Sequence, residues 1–311
     1  MLETFKQFKT YANQNSKLKV LHDDEIHQVQ TVLLGMMDDF VSICERNGLC
    51  YFLTGGTALG AVRNMGFIPW DDDIDVIMPR RDYERLAECV EKESGDKYWV
   101  QRLDNSEKYD LTYYKFRKKG TRYIEIFDND YEDPGVFIDV FPLEDMFDGP
   151  IIRIINGIIV ELLFLIASCV RIFNKENRLL EYVKGSPMEK TVRLKAAIGR
   201  VFSSPKDDRI WFKRCDHWQS KCVNPDSRYV TVSCGRGHYF GETYLRERLF
   251  PVQHMSFEGR QYAVPRDPDY LLKKLYGKGY MTPADEKDRE VHCVIELDLG
   301  AGGRENDEQH K

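Results

Sequence analysis

The sequence predicts an α+β fold, in which helices flank a mixed β-sheet core and a helical insertion interrupts it. Three observations predict this fold. Short runs rich in β-branched and aromatic residues recur along the first half of the chain. Segments with apolar residues at helical spacing lie around them. A long apolar run over 151–173 then separates these elements from a C-terminal part with further strand-like runs.

The composition of the 311-residue chain is typical of a globular protein, with 42% hydrophobic and 31% charged residues. The net charge of −6 argues against nucleic acid as a partner. The chain starts with a polar segment that does not resemble a signal peptide. Its eight cysteines form no C-x-x-C pair, so we expect reduced thiols in a cytoplasmic protein. A zinc site between residues 215 and 238 is an alternative, although its cysteines and histidines are irregularly spaced.

Two helices are predicted around the most informative stretch of the sequence. Apolar residues at helical spacing over 23–47 predict a helix that ends before Gly48 and packs on the back of the sheet. A second amphipathic helix is predicted over 80–93. Strands are predicted at 98–101, 111–117, 123–127, 136–143, 229–232 and 257–264, with a basic hairpin turn at 117–122.

Residues 51–83 combine a glycine pair with a cluster of acids. Gly55, Gly56 and Thr57 follow a strand-like run at 51–53 and precede a helical segment at 58–63. Glycines allow the backbone to approach a phosphate closely, and the start of a helix offers free N–H groups. The pattern therefore predicts a phosphate-binding turn.

Four acids follow within five positions, at Asp71, Asp72, Asp73 and Asp75. Alternation along a strand turns Asp73 and Asp75 to the same face and Ile74 into the core. Two adjacent carboxylates stay ionised together most readily with a cation between them, and oxygen ligands beside a phosphate suit Mg²⁺ or Mn²⁺. A solvated acidic turn is the alternative, but it does not explain why the acids alternate with apolar residues.

One further acid, Asp139, lies in the middle of the apolar run 136–143. A carboxylate in such a strand is costly to bury without a partner. Either Asp139 accepts a hydrogen bond from a neighbouring backbone amide, or strand pairing brings it beside Asp73 and Asp75. The second interpretation makes it the third acid of the site.

The run 151–173 is the most apolar part of the chain and is long enough for a membrane span. Arg153, Glu161 and Arg171 are costly inside a bilayer, however, and they fall on one narrow helical stripe. We expect a core helix or an oligomer contact, which allows a homo-oligomer, with a monotopic membrane contact as the alternative.

The segment that follows is strongly basic. Residues 171–214 contain twelve lysines and arginines but five acids, in a chain of net charge −6. A basic segment beside an apolar helix suits an anionic membrane or a polyanionic acceptor, and an ordinary solvated helix pair is the alternative. We expect 151–214 to form a helical layer beside the active-site mouth, with Lys175, Arg178 and Lys184 on anionic lipid.

Four stretches carry a family resemblance, namely 56–63, 66–75, 138–143 and 270–283. They resemble the signatures of the LicD family, which belongs to the nucleotidyltransferase superfamily and is related to fukutin-type enzymes. Together with the patterns above, the resemblance divides the chain into five parts. These are an N-terminal extension (1–22), a nucleotidyltransferase-like catalytic core (23–150), a helical basic insertion (151–225), the C-terminal part of the LicD domain (226–300) and a disordered tail (301–311).

The resemblance implies a phosphotransferase that uses a CDP-activated donor, usually CDP-choline. It would move phosphocholine to a sugar of a cell-surface polysaccharide, teichoic acid or lipopolysaccharide and release CMP. The acceptor could be a lipid-linked glycan at the inner face of the membrane, and fukutin-type relatives allow a CDP-polyol donor. The alternatives are transfer of the nucleotide itself and a non-catalytic membrane-associated binding protein with this fold.

Site residues follow from this interpretation. Asp73, Asp75 and Asp139 are predicted to be catalytic and to hold Mg²⁺ or Mn²⁺, with Asp139 completing the metal site or taking the acceptor proton. The predicted substrate-binding residues are Gly55, Gly56, Thr57, Arg63, Trp70, Asp71 and Lys115. Among these, Arg63 and Lys115 are expected to be cationic partners of the donor phosphates.

Overall fold

A computed structural model describes residues 20–128, 132–204, 207, 209–285, 289 and 294–300. Most of the predicted N-terminal extension, residues 1–19, lies outside the described residues. The whole of the predicted tail over 301–311 also lies outside them.

The first helix, α1 (Asp23–Asn47), lies where the sequence predicts it. Its first turn carries three acids, which the positive end of the helix dipole favours. Gly48 ends it in the left-handed conformation with φ +60°, where glycine has no steric penalty. Its inward face is fully buried against the sheet at Val29, Leu33 and Phe40, so the predicted packing is confirmed.

Seven of the described strands form one mixed sheet, which confirms the predicted fold class. They are β1 (Phe52–Leu53), β2 (Asp75–Pro79), β3 (Tyr98–Gln101), β4 (Tyr114–Lys118), β6 (Phe137–Asp145), β7 (Tyr229–Thr231) and β8 (Thr243–Leu245). The order across the sheet is β1-β2-β6-β4-β3, and β7 and β8 continue from the far end of β6. Strands β2 and β6 are parallel, whereas the other neighbours are antiparallel.

The remaining described strands form two separate pairs. Strand β5 (Arg122–Glu125) pairs with β11 (Val294–Asp298), so the predicted hairpin turn at 117–122 is wrong. The chain does turn at Gly120, which has φ +73°, but it then leaves the main sheet. Strands β9 (Gln253–Phe257) and β10 (Arg260–Val264) form a hairpin where the sequence predicts one strand.

The glycine pair lies inside a helix rather than before it. Helix α2 (Gly55–Arg63) begins at Gly55, because the N–H of Ala58 already donates to the carbonyl of Thr54 at 2.9 Å. Strand β1 ends at Leu53, because the chain enters this helix after Thr54. The residues before Asp75 therefore have no β1 residue opposite them. Strand β2 therefore starts at Asp75, and Asp73 lies just before it. Helix α3 (Arg80–Ser94) follows at once, as predicted.

The insertion is a helical layer, as predicted. It consists of α4 (Pro150–Asn174), α5 (Glu176–Val183), α6 (Pro187–Phe202) and α7 (Ile210–Gln219). Helix α4 packs lengthwise against α6 and α7. The short helices α8 (His238–Gly241) and α9 (Arg246–Leu249) follow the insertion in the chain. The last described helix is α10 (Pro268–Tyr276), which ends at Gly277 as expected.

The prediction that α4 is a core helix is wrong for its longest apolar stripe, although a second face buries Val160, Val170 and Ile172. The residues of the stripe point outward, and Ile158 and Leu162 are about half exposed. Its polar stripe points inward, where Arg171 Nε lies 3.0 Å from a carboxylate oxygen of Asp110. The predicted lipid contact of Lys175 is also wrong, because its ammonium group is buried 2.6 Å from the other Asp110 oxygen.

Candidate active site

One cavity of about 380 Å³ lies where the sheet, α2 and the insertion meet. Predicted site residues that line it are Gly55, Gly56, Asp71, Asp73, Asp75 and Asp139. Helices α4 and α6 supply further lining residues, including Phe164, Arg171 and Lys195. The insertion therefore lines the same cavity as these predicted site residues.

The two glycines make room for carboxylates. A Cβ at Gly55 would overlap the Oδ2 atom of Asp75, and a Cβ at Gly56 would overlap the Oδ2 atom of Asp71. Gly55 also has φ +56°, which side-chain-bearing residues adopt at a cost. The backbone of Asp75 is fixed from the same helix, since its N–H donates to Thr57 Oγ1 at 2.9 Å. Thr57 thus positions an acid and is not among the residues that line the cavity.

Strand pairing brings the third acid to the site. In the parallel pair β2–β6, Asp75 lies directly opposite Asp139. On the other side of β6, Lys115 of β4 lies opposite Asp139 in the antiparallel pair. Because side chains opposite one another point to the same face of a sheet, Asp139 lies between an acid and a base.

Asp139 is 8% exposed, and burial raises its pKa to about 6. The nearby carboxylates of Glu125 and Asp73 act in the same direction. The ammonium group of Lys115 opposes them from 3.1 Å. A carboxyl with this pKa is ionised at neutral pH and is still basic enough to accept a proton.

Lys115 is buried and belongs to a network of charges under the site. Its Nζ lies 3.6 Å from Glu125 and 3.8 Å from Asp128, and it sits over the Phe137 ring at 3.2 Å from the centroid. Arg117, fully buried, is 3.2 Å from the same Asp128. Lys115 is 2% exposed and does not line the cavity, so in this structure it holds Asp139 in place.

Two other predicted binding residues also lie outside the cavity lining. Arg63 donates to the carbonyl of Tyr280 at 3.3 Å and joins α2 to the C-terminal part. Trp70 packs under the guanidinium of Arg289, 4.1 Å from the ring centroid. Neither lines the cavity in this structure. Asp72 is buried and accepts a hydrogen bond from Tyr123 at 2.6 Å, which ties the acidic loop to β5.

The donor set at the site fits a hard divalent cation, because carboxylates from β2, β6 and the preceding loop line one cavity. In the part of the chain that the structure describes, no group of three His, Cys, Asp or Glu side chains is already arranged to hold a metal ion. The same result leaves the alternative zinc site between residues 215 and 238 without support among the described residues.

Sequence reasoning missed a wall of the cavity built by α8 and the residues on either side of it. Arg236, His238 and Glu242 line the cavity there. Burial raises the pKa of Glu242 to about 7, and this carboxyl accepts a hydrogen bond from the N–H of Gly237 at 2.7 Å. A signal was present, since the run 234–238 places Arg236 between two glycines.

A substitution at Gly55 tests the close approach of helix and carboxylate. Gly55→Ala is expected to lower the free energy of unfolding by about 1–2 kcal/mol, because alanine is strained at this φ. Gly35→Ala, in α1 with open space around it, is the control and should be neutral or stabilising by roughly 0.5–1 kcal/mol. Urea denaturation measures both. Equal stability of Gly55→Ala and the wild type would contradict the close contact.

Comparison with known proteins finds a family match over the residues that carry the acids of this site. Residues 48–149 match the family described as LicD/FKTN/FKRP, nucleotidyltransferase domain. The chain is 28% identical over 278 residues to the lipopolysaccharide cholinephosphotransferase LicD of Haemophilus influenzae, covering 87% of this chain and 97% of that protein. Short segments match uncharacterised proteins of Rickettsia prowazekii (36% over 58 residues, 19% of this chain and 22% of that protein) and Rickettsia typhi (43% over 44 residues, 14% of each).

Proposed function

We propose that this chain, a LicD-family enzyme, transfers phosphocholine from CDP-choline to a sugar of a lipopolysaccharide or a related cell-surface glycan and releases CMP. The family domain over 48–149 and the cholinephosphotransferase relative support the proposal. The observation that carries it is the placement of Asp75 opposite Asp139 in parallel strands, beside the glycine-rich start of α2. We also propose that the reaction takes place in the cytoplasm, at the inner face of the membrane.

The donor diphosphate is assigned to the start of α2. A nine-residue helix begins there with Gly55 and Gly56, and both line the cavity. Helix N-termini favour phosphate groups through their free N–H groups and the helix dipole. Arg171 and Lys195 line the same cavity and offer positive charge to the phosphate oxygens.

Choline is favoured over a polyol by the aromatic lining of the cavity. Aromatic faces attract quaternary ammonium groups through the ring quadrupole. The lining contains Tyr113, Phe127, Phe141, Phe164, Phe212 and Tyr276. A polyol would gain less from these rings, because it carries no cationic group.

Asp73 and Asp75 are the residues that would hold Mg²⁺ or Mn²⁺, and Asp139 beside them is left to take the acceptor proton. When bound, such an ion neutralises charge on the donor diphosphate. Carboxylates are the ligands that these ions prefer in proteins, and all three line the cavity.

We assign the proton transfer to Asp139. The acceptor hydroxyl oxygen forms a bond to the phosphorus of the phosphocholine group, and the bond from that phosphorus to the CMP oxygen breaks. The hydroxyl proton passes to Asp139, whose pKa of about 6 suits a general base at neutral pH. Lys115, at 3.1 Å, orients this carboxylate.

Two other functions remain distinguishable by their products. An enzyme that moves the nucleotide would attach CMP to the acceptor and release phosphocholine. A non-catalytic binding protein would release neither. Incubation with CDP-choline, Mg²⁺ and a lipopolysaccharide acceptor therefore tests the proposal, which expects free CMP and phosphocholine-labelled glycan in equal amounts. Teichoic acid serves as the second acceptor.

Donor binding gives a test that does not require the acceptor. CDP-choline at about 100 times its Kd is expected to stabilise the fold by about 2.7 kcal/mol, which raises the Tm by a few degrees. The shift should require Mg²⁺ and disappear in EDTA, because the acids at the diphosphate site repel it without a cation. CDP-ribitol is the matched control for choline recognition. An equal shift in EDTA would contradict a metal-dependent donor site.

A further inference from the structure

The outer face of α4 is an exposed aliphatic surface. Six residues at helical spacing form one stripe, each of them between 49% and 75% exposed: Ile151, Ile154, Ile155, Ile158, Leu162 and Leu165. By length and composition this helix could also cross a membrane, and 22% of its most apolar window is buried in the protein. Exposed stripes of this size mark a contact site rather than ordinary surface.

The inner face of α4 carries its two arginines together with buried apolar residues, and it is already occupied. Arg153 stacks on the ring of Tyr229 at 4.2 Å, and Gly157 lies so close to Tyr239 that a Cβ would come within 2.6 Å of the ring. Nearer the C-terminus, Arg171 pairs with Asp110. The helix thus differs from a surface helix of a soluble protein, which turns its apolar side to the core, because apolar residues cover its outer face as well.

Helix α6 extends the aliphatic surface. Leu194, Ile198 and Val201 are 65%, 40% and 78% exposed and lie on one side of the helix. The two helices pack closely, because a Cβ at Gly199 would overlap the backbone of Cys169. We call the exposed stripe of α4 and these residues of α6 the aliphatic surface.

Exposed bases accompany the aliphatic surface. Lys190 is exposed on the same side of α6 as Leu194 and Val201. Arg193 and Arg200 are also exposed, at 57% and 70%, and each lies beside an acid, Glu189 at 2.8 Å and Glu176 at 3.7 Å. Aliphatic residues beside lysine and arginine are typical of helices that lie in the interface of an anionic bilayer.

We propose that the aliphatic surface docks on an anionic lipid membrane, with α4 and α6 lying in the plane of the interface. A second copy of the chain is the less favoured occupant. In a two-fold contact this surface would face a copy of itself, so Lys190 would meet a second basic surface rather than an anionic one. A span through the bilayer is also disfavoured, since α4 would have to abandon the contacts of Arg153 and Arg171.

The docking surface adjoins the active site. Phe164, Ala167 and Ser168 line the cavity from α4, and Lys195 lines it from α6. The helices that would rest on lipid therefore also form a wall of the cavity. This part of the inference rests on the proposed function, because a glycan built on a lipid carrier would then meet the cavity at the membrane surface.

Vesicle flotation tests the docking without donor or catalysis. The wild type is expected to float at low salt with vesicles of phosphatidylcholine and phosphatidylglycerol, and less with phosphatidylcholine alone. Lys190→Glu with Arg193→Glu should weaken partitioning at least about tenfold, since lysine and arginine side chains are attracted to an anionic surface and glutamates are repelled by it. Added salt should weaken wild-type binding, because it screens the attraction.

A second variant isolates the aliphatic part. Ile158→Glu with Leu162→Glu should abolish flotation on both vesicle types. The matched controls are Met281→Glu, at a residue with 51% exposure elsewhere on the surface, and Lys92→Glu with Lys97→Glu. These controls should bind as the wild type does, and circular dichroism should show that every variant is folded.

Three results would overturn the inference. They are wild-type protein that stays unbound at low salt, controls that lose binding as strongly as the test variants, and a wild-type dimer that Ile158→Glu with Leu162→Glu converts to a monomer. Because flotation needs no CDP-choline, its failure and the failure of the phosphocholine assay can be told apart.

Discussion

Asp75→Asn is expected to abolish turnover while the protein stays folded. The carboxylate lies against Gly55, opposite Asp139, and lines the cavity where the donor diphosphate is assigned. Loss of about 4 kcal/mol of charge stabilisation at this point corresponds to a rate reduced roughly 10³-fold. The amide keeps the shape of the side chain, and the backbone contact with Thr57 is unaffected. Release of CMP measures the effect.

The same variant should lose the Mg²⁺-dependent shift in Tm with CDP-choline. Without metal its stability should equal or exceed that of the wild type, because one of several clustered negative charges is gone. Asp104→Asn, at a carboxylate that is 69% exposed, is the control and should behave as the wild type does. Full activity of Asp75→Asn would refute the assignment of this carboxylate.

Asp139→Asn is expected to reduce the rate by about 10²–10⁴-fold, the usual contribution of a general base. Donor affinity should change little if the carboxyl accepts the acceptor proton, and it should fall if the carboxyl mainly holds the metal. Single-turnover rates and donor titrations separate the two. A variant with weaker donor binding and an unchanged single-turnover rate would remove Asp139 from the proton transfer.

The pH dependence gives an independent measurement. Wild-type activity should rise with pH and level off above about 6, since Asp139 must be ionised to act as a base. The acidic limb should be absent in Asp139→Asn. Burial raises the pKa of the Asp139 carboxyl from 3.8 to about 6 on folding, so the folded state binds this proton more tightly than the unfolded state does. The free energy of unfolding therefore falls as the pH rises from about 4 to 6. The variant should therefore be no less stable than the wild type at pH 7.5.

Local pattern was enough to predict much of the site. The alternation around Asp75 and the acid inside an apolar strand at Asp139 both indicate a shared face, and the β2–β6 register confirms that these two meet. The start of strand β2 was predicted too early in the chain, because it depends on where β1 leaves the sheet at Thr54. The tertiary partner of Lys115 could not be predicted either, since its position opposite Asp139 exists only once β4 and β6 pair.

The side of α4 that faces the protein could not be predicted from the sequence pattern either. The sequence shows that Arg153 and Arg171 share a narrow stripe on α4, but periodicity does not say which side meets the protein. The base rate for soluble proteins favours apolar residues inside. In this protein the two arginines lie on the inner side instead, because Asp110 pairs with Arg171 and the Tyr229 ring stacks on Arg153.

The parallel register of β2 and β6 has a consequence for finding distant relatives by their sequences. What places the two acids together is the alignment of two strands, so the number of residues between them is free to vary while the position of each acid within its strand is not. Loops of any length can be inserted between these strands without separating Asp75 from Asp139. A search pattern should therefore fix the acid at the third position of an apolar strand and leave the gap before it open.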